Sequence, residues 1–600
     1  MASILYKRPR DVNAYQAASI LYGDWGTSKA YVIGLAFALA TYSSFWLVAF
    51  LSIMNVLVGI NYIIICRSFP NGGGAYTSVH KRSEVIALIA AFFLIADYLV
   101  TASLSAVSGF NYLGVAHPAI WAMASILIIG MLNYFGPRHT GNIALIIGLL
   151  TFLVVFILGM LSIPFLGEAI KHTTPLQGSL EENWIHFTSI VVGMSGIEAI
   201  ANTTGVMKLD ANTKPYSVTK TSTPAIITVM LEVSILTTLF SLAVNALPEL
   251  TVINGEVNAP GNQNVRDYML RYMGEEFAGA LLGEAVGHFF SFIISIVFCI
   301  LLLSAVNTAI IALVSLLFVM SRKQDVPTQL QRLNRFGVPL VPLVFATLIP
   351  IGLVAFYLDV AHLADLYAVG FVGAIATNLA ATSTDKTLNL SKVERIFMFA
   401  TFMIMAAIEL TLLIQKPHAR NFALVIMTIG LLLRSLVLEQ KVKKVKSHPK
   451  ERKDVDVITT DQLKADSEPS LLCVTKEPNK ALEFAIKESI RHKKNLYVLF
   501  LRQQQVITEE DHASTWQEDK DALQLYTYTN AYKNFTSIKF IYVISEAASP
   551  SIVKLANTLN VSQIIIQQKR TRKLHDFFRG NLIYQISRTL PQEVQLIVII

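Results

Sequence analysis

The sequence predicts an α-helical membrane protein of about twelve transmembrane helices, followed by a C-terminal cytosolic α/β domain with a parallel sheet. Three observations predict it. Hydrophobic residues make up 53% of the chain against 15% charged, and a mean hydropathy of +0.52 is hard to sustain around one aqueous core. Apolar stretches long enough to cross a bilayer recur as far as Leu438 and then stop. Beyond residue 469, short β-rich runs alternate with helical ones, the pattern of a doubly wound sheet. A chain of 600 residues is also too long for one core, so it divides into a transmembrane block (1–440), a basic linker (441–468) and an α/β domain (469–600).

The spans read at 16–40, 44–66, 84–112, 118–134, 141–163, 185–206, 223–246, 285–320, 337–357, 362–382, 395–415 and 420–438. With a cytoplasmic N-terminus, the inner loops hold Arg67, Lys81, Arg82, Arg138, Lys208, Lys214, Lys220, Arg322, Lys323, Arg332, Arg335, Lys386, Lys392 and Arg395. The outer loops hold only Lys171, Arg266, Arg271, Lys416 and Arg420. That asymmetry predicts a multi-pass protein of the bacterial inner membrane with both termini in the cytoplasm. No cleavable signal peptide is read, because a short basic segment with Lys7, Arg8 and Arg10 runs directly into the first span. Cys66, Cys299 and Cys473 lie too far apart for a disulfide framework or a zinc cluster.

The linker, with six lysines and one arginine between Lys441 and Lys453, either lies on anionic lipid or is a solvated tether. After it come a strand at Ser470–Thr475, a helix at Asn479–His492, a strand at Asn495–Leu501 and a helix around 515–533. A strand at Lys539–Ser545, a helix at Ser549–Leu559, a strand at Val561–Gln567, a helix to Leu590 and a strand at Val594–Ile600 complete the domain.

Two spans carry glycines with polar groups at mid-membrane. Tyr22, Gly23, Asp24, Trp25, Gly26 and Thr27 interrupt the first, and Gly193, Met194, Ser195, Gly196, Ile197 and Glu198 interrupt the sixth. Broken helices at matching positions of two five-helix halves predict a 5+5 inverted repeat whose site sits where backbone groups are freed. Ionisable residues in hydrocarbon cost roughly 3 kcal/mol or more each, so they need a partner or a purpose. Asp24 and Glu198 fall at the breaks, while Asp97, Thr101 and Ser105 share one face of the third span. Such a stripe of oxygens replaces the water shell of a monovalent cation, or else joins helices by hydrogen bonds.

These residues resemble the amino acid-polyamine-organocation (APC) superfamily, and within it the KUP and KimA-type potassium importers, whose fold is of the LeuT/APC kind. Tyr22 to Ser28 resembles the first-helix signature of KUP transporters. Asn71-Gly72-Gly73-Gly74-Ala75-Tyr76 is similar to the glycine-rich loop after the second helix. Asp97-Tyr98-Leu99-Val100-Thr101 with Ser105, Ser195 to Ile200, and Leu366 to Gly370 resemble the third-, sixth- and tenth-helix motifs of KimA-type importers. The resemblance implies cation ligands at Asp24, Asp97, Thr101, Ser105, Ser195, Glu198 and Tyr367, with Tyr22 beside them. It implies no metal beyond the transported cation. Ser195 stands where a threonine is usual, and Lys29 where KUP proteins carry proline. An ammonium there either occupies a cation subsite or snorkels to the interface.

The C-terminal domain resembles the universal stress protein fold. Its phosphate loop would fall at Gln567 to Lys573 and Gly580-Asn581, but only Gly580 remains of the glycines, which argues against ATP. The run Lys569, Arg570, Arg572 and Lys573 is either a solvated or lipid-facing patch or a contact for a regulatory nucleotide, cyclic di-AMP or ATP, that no activity requires.

Three functions follow: proton-coupled import of a monovalent cation, potassium first; an amino acid permease; or a membrane sensor. Asp24 and Asp97 would oppose a substrate carboxylate and favour a bare cation. No Walker lysine or paired nucleophile suggests an enzyme. The remaining partners are the bilayer and a second copy in a homodimer, with no nucleic acid.

Overall fold

The computed structural model describes residues 3–5, 10–445, 470–505, 519–568 and 582–599, apart from 73, 81–82, 137–139, 211–216, 248, 262, 533, 546 and 592. Asn13 opens the helical bundle as an N-cap. Its side chain accepts from the Gln16 amide while the Gln16 side chain accepts from its own. The first span is two helices, α1 (Ala14–Trp25) and α2 (Lys29–Ala40), and the chain turns at Thr41–Ser43 into α3 (Ser44–Ser68).

A short α4 (Ala75–His80) leads to α5 (Glu84–Leu113), which Ser83 caps and Gly114 ends in the left-handed region at φ 68°. Then come α6 (Pro118–Asn133), α7 (Thr140–Ser162) and a short α8 (Leu166–His172). The sixth span is again broken: α9 (Leu180–Ile190), a 3-10 turn at Val191–Met194, and α10 (Ala199–Thr203). The second half holds α11 (Thr219–Ala243), α12 (Met269–Leu282), α13 (Glu284–Arg322), α14 (Leu340–Phe356), α15 (Val360–Thr384), α16 (Lys392–Gln415) and α17 (Pro417–Val445).

Among the described residues nine helical stretches are long and apolar enough to cross a membrane. Ala14–Ser68, one of these stretches, contains two spans, and the shorter apolar helices Pro118–Asn133 and Leu340–Phe356 supply the others. The chain is therefore a multi-pass membrane protein whose spans follow the hydropathy pattern. At 39 residues, α13 is roughly 58 Å long, so it outreaches a hydrocarbon core of about 30 Å.

Between α11 and α13 stand elements that hydropathy alone does not announce. A three-stranded antiparallel sheet is formed by β2 (Thr251–Ile253), β3 (Glu256–Ala259) and β4 (Gln263–Asn264). Asn254 and Gly255, at φ 51° and 77°, make the tight turn between the first two, as Asn-Gly does in hairpins. This hairpin marks one end of the bundle.

The other end carries the parallel sheet. It is formed by β1 (Ser3–Leu5), β5 (Ser470–Val474), β6 (Leu496–Gln503), β7 (Ile538–Ser545), β8 (Val561–Gln567) and β9 (Gln595–Ile599). They lie in the order β1-β7-β6-β5-β8-β9, every neighbour parallel. Four helices, α18 (Lys480–His492), α19 (Lys520–Asn530), α20 (Ala548–Thr558) and α21 (Leu582–Thr589), cross between the strands that follow β1. Apolar layers cover both faces, around Leu471, Val498 and Leu525 on one and Leu472, Ile541 and Ile564 on the other.

Every strand expected after residue 469 is present, and β1 is an addition from the segment ahead of the first span. The sheet touches the bundle at the loop before α14. There the Gln505 amide donates to the Gly337 carbonyl at 2.9 Å. Gly337 has φ 79°, and a Cβ on it would come within 2.3 Å of the Gln503 carbonyl oxygen, so only glycine fits that contact.

Candidate functional site

The two breaks meet backbone to backbone. Gly196 has φ 93°, and a Cβ there would stand 2.6 Å from the Trp25 nitrogen and 2.7 Å from the Asp24 carbonyl carbon. Ser195 is extended, and Glu198 then opens α10. In the first span the interruption falls later than the sequence suggests. Tyr22, Gly23 and Asp24 remain in the last turns of α1, and the chain departs from the helix at Gly26–Ser28. Gly26 itself is right-handed, and local bonds from Thr27 to Asp24 and from Ser28 to Trp25 satisfy the turn. Gly23 is required neither for room nor for dihedral freedom, since a Cβ there meets nothing within 4 Å and its φ is not positive.

Around this junction three carboxyl groups are buried: Asp24 is 7% exposed, Asp97 1% and Glu198 4%. Asp97 reaches the junction because α5 is enclosed by its neighbours and Gly370 of α15 lies against its backbone. A Cβ on Gly370 would be 2.7 Å from the Asp97 nitrogen. The three carboxyls act electrostatically on one another, and Asp97 faces Glu198. Neither carboxylate oxygen of Asp97, nor Oε2 of Glu198, has a hydrogen-bond partner. Buried polar atoms are rarely left this way without an occupant.

Hydroxyls surround them. Thr101 donates to the Asp97 carbonyl at 2.8 Å, which leaves its oxygen lone pairs for another contact. Tyr31 and Ser195 stand 3.4 Å apart. Tyr367 and Tyr62 stand within the electrostatic reach of Asp97 and Glu198, and Tyr98 accepts from the Asn202 amide at 2.8 Å. Ser105 is buried two turns beyond Asp97 on the same face of α5. Among the described residues no three His, Cys, Asp or Glu side chains stand close enough to chelate a metal ion.

Two sequence expectations turn out differently. Tyr22 does not join the carboxyl cluster, because its hydroxyl donates to Glu232 Oε1 at 2.9 Å. Lys29 neither snorkels nor enters the cluster. It is wholly buried, and its Nζ donates to both oxygens of Glu232 at 2.6 and 2.7 Å and to the Tyr22 hydroxyl at 3.1 Å. Lys569, Arg570, Arg572, Lys573 and Gly580 lie outside the described residues.

Glu232, Tyr31, Tyr62 and Tyr98 are the residues that sequence reasoning passed over. Glu232 is an ionisable group in an apolar run, the same signal that singled out Asp97. Glu409 on α16 carries that signal too, and both of its carboxylate oxygens lack partners.

Contacts hold the chain on either side of the junction. Arg10 donates to the carbonyls of Pro70 and Thr204 and to Asn71. Val12 pairs with the segment after α10, its amide on the Val206 carbonyl and its carbonyl under the Lys208 amide. Toward the hairpin, Gly34 lets the Arg266 backbone lie directly on α2, and the Arg266 guanidinium binds Asp267, Asp359 and the Gly255 carbonyl.

Comparison with known proteins adds two findings. The family model described as amino acid permease matches residues 13–438. The potassium transporter KimA of Bacillus subtilis (strain 168) is 26% identical over 382 residues, which cover 59% of this chain. The aligned region spans 58% of that relative's own length, somewhat over half.

Proposed function

Because the chain belongs to the amino acid permease family of the APC superfamily, a family of membrane transporters, we propose that it imports a monovalent cation, potassium first, by alternating access coupled to protons. The observation that carries this reading is the cluster of Asp24, Asp97 and Glu198, buried at the junction with Asp97 unpartnered and the nearby ammonium of Lys29 committed to Glu232. An amino acid would bring its own carboxylate to this junction, where like charges a few ångströms apart repel. A dehydrated cation would be drawn to it. The ligands we assign are Asp24, Asp97, Thr101, Ser105, Ser195, Glu198 and Tyr367. A monovalent ion would take one or two carboxyl oxygens at a time together with hydroxyls and carbonyls. The similarity to a potassium transporter of Bacillus subtilis supports the choice of potassium.

We also read the sheet as a cytosolic, universal-stress-protein-like modulator that binds a nucleotide such as cyclic di-AMP, with the hairpin end outside the bacterial inner membrane. The match to a permease family favours one second reading, amino acid uptake.

Asp24→Asn separates the two. Binding is measured in detergent without a proton gradient, by thermal shift with potassium, rubidium, sodium and a panel of amino acids. Saturable stabilisation by potassium in the parent and its loss in Asp24→Asn is the expected result. Stabilisation by an amino acid, with no response to potassium, would refute the proposal.

A further inference from the structure

The first span is held on both sides of its break by one carboxylate from another helix. Tyr22 lies on α1, ahead of the break, and Lys29 opens α2, beyond it. Both end on Glu232 of α11. The three groups close a ring, since Lys29 Nζ also donates to the Tyr22 hydroxyl and stands 4.7 Å from the centre of the Tyr22 ring. The ring in turn covers Gly26: a Cβ on Gly26 would lie 2.8 Å from Tyr22 Cδ2. Lys29 is 0% exposed and Glu232 9% exposed, so the pair sits in a medium where an ion pair with good geometry is strong and a stranded partner is costly.

We propose that Tyr22, Lys29 and Glu232 form a clamp that fixes the angle between α1 and α2, and that Lys29 and Glu232 are therefore positioning residues for the cation site. Asp24 lies two residues after Tyr22 and five before Lys29, so the clamp grips the chain on either side of it. With both arms on one carboxylate, the Asp24 side chain and the carbonyls of the break are presented to Asp97 and Glu198 in one geometry. This inference rests on the cation reading above. It adds that an internal ammonium, rather than the transported ion, compensates Glu232, so that Glu232 takes no part as a ligand.

The test is rubidium uptake by the full chain in proteoliposomes, with KM and Vmax read separately. The decisive variant is the neutral pair Lys29→Met with Glu232→Gln, which strands no charge and so preserves folding better than either single change. We expect it to raise the rubidium KM about tenfold while Vmax stays within about threefold, and Tyr22→Phe to raise KM about threefold. A folded neutral pair with the parental KM overturns the proposal. Should the neutral pair not fold, Tyr22→Phe decides, because it keeps both charges, and a parental KM there overturns the proposal equally.

A second readout needs no substrate: the rate at which a thiol reagent labels Gly23→Cys, placed where a side chain has free space beside the break. A released clamp changes that rate about fivefold or more in the neutral-pair background, and an unchanged rate counts against the clamp. If the parent carries no rubidium at all, the cation reading fails, and the labelling rate alone decides whether the clamp exists.

Discussion

Replacing Asp97 by Asn tests the carboxyl cluster with the least disturbance, because the volume is kept and only the charge is lost. The side chain is 1% exposed, and its oxygens face Glu198 without a close hydrogen bond to it, so the change removes little besides charge. Two unit charges 4 Å apart attract by about 4 kcal/mol at an effective dielectric of ~20. The amide retains one oxygen ligand, and repulsion from Asp24 and Glu198 is relieved. About half of that attraction is then lost as affinity, roughly 2 kcal/mol or 30-fold. Stability should move the other way, because a carboxylate without a partner in a membrane interior is costly and an amide less so. The assay is rubidium uptake at several concentrations, paired with a thermal shift of the purified protein. A half-saturation within twofold of the parent, in protein that melts normally, would refute the assignment of Asp97 as a ligand.

Further outcomes follow from the close contacts. Gly196→Ala puts a side chain at φ 93° and 2.6 Å from the Trp25 nitrogen, so it should cost on the order of 3 kcal/mol and abolish uptake; a parental melting temperature would exclude this packing. Gly370→Ala drives a methyl onto the Asp97 backbone and should raise KM about tenfold with little change in expression, whereas an unchanged KM would place Asp97 outside the site. Gly337→Ala should undock the sheet, so its uptake rate should equal that of a chain ending near Glu439. Both should still transport, and a variant that keeps the parental rate while the shortened chain differs would show that this contact does not carry the coupling.

Arg266→Gln should lower the melting temperature near neutral pH. Burial works to raise the pKa of Asp359, but the Arg266 guanidinium, helped by His362, holds the carboxyl below its usual range. A depressed carboxylate contributes stability above its unfolded value of about 4 and loses it as pH falls through the folded value. The gap between parent and variant should therefore be full at neutral pH and narrow in acid; a gap that widens in acid would contradict the pairing.

Much of the fold was legible because two simple periodicities carried it. Apolar runs of bilayer length gave the spans, and alternating short strands and amphipathic helices gave the sheet that follows residue 469. The failures have physical reasons. Asn254-Gly255 is a hairpin signal, but its flanking strands are two to four residues long, too short for a pattern to emerge. Strand β1 is three residues whose partner lies more than five hundred residues away, and nothing local announces it.

At the site, the sequence marked Asp24, Asp97 and Glu198 as charges out of place, and the fold brings those three together. Tyr22 is named only by the motif it belongs to, and a residue in a motif can face either side of its helix; its hydroxyl turns to Glu232 instead. Lys29 was conspicuous, yet its partner Glu232 lies 203 positions along the chain, and only the packing of α11 against α1 and α2 joins them.

The pairing of β1 with β7 joins the sheet to the bundle through two lengths of chain rather than one. One is residues 446–469, whose contour length reaches at most roughly 85 Å. The other is residues 6–9, limited to roughly 15 Å, and it ends at Arg10, which is bonded to Pro70, Asn71 and Thr204. While β1 stays paired, the shorter connection limits how far the sheet can lie from the bundle, and any greater separation must displace Arg10 or peel three residues of strand away. Two tethers of unequal length also keep the sheet at high effective concentration near the loop around Gly337, so that contact can be weak on its own and still be made most of the time.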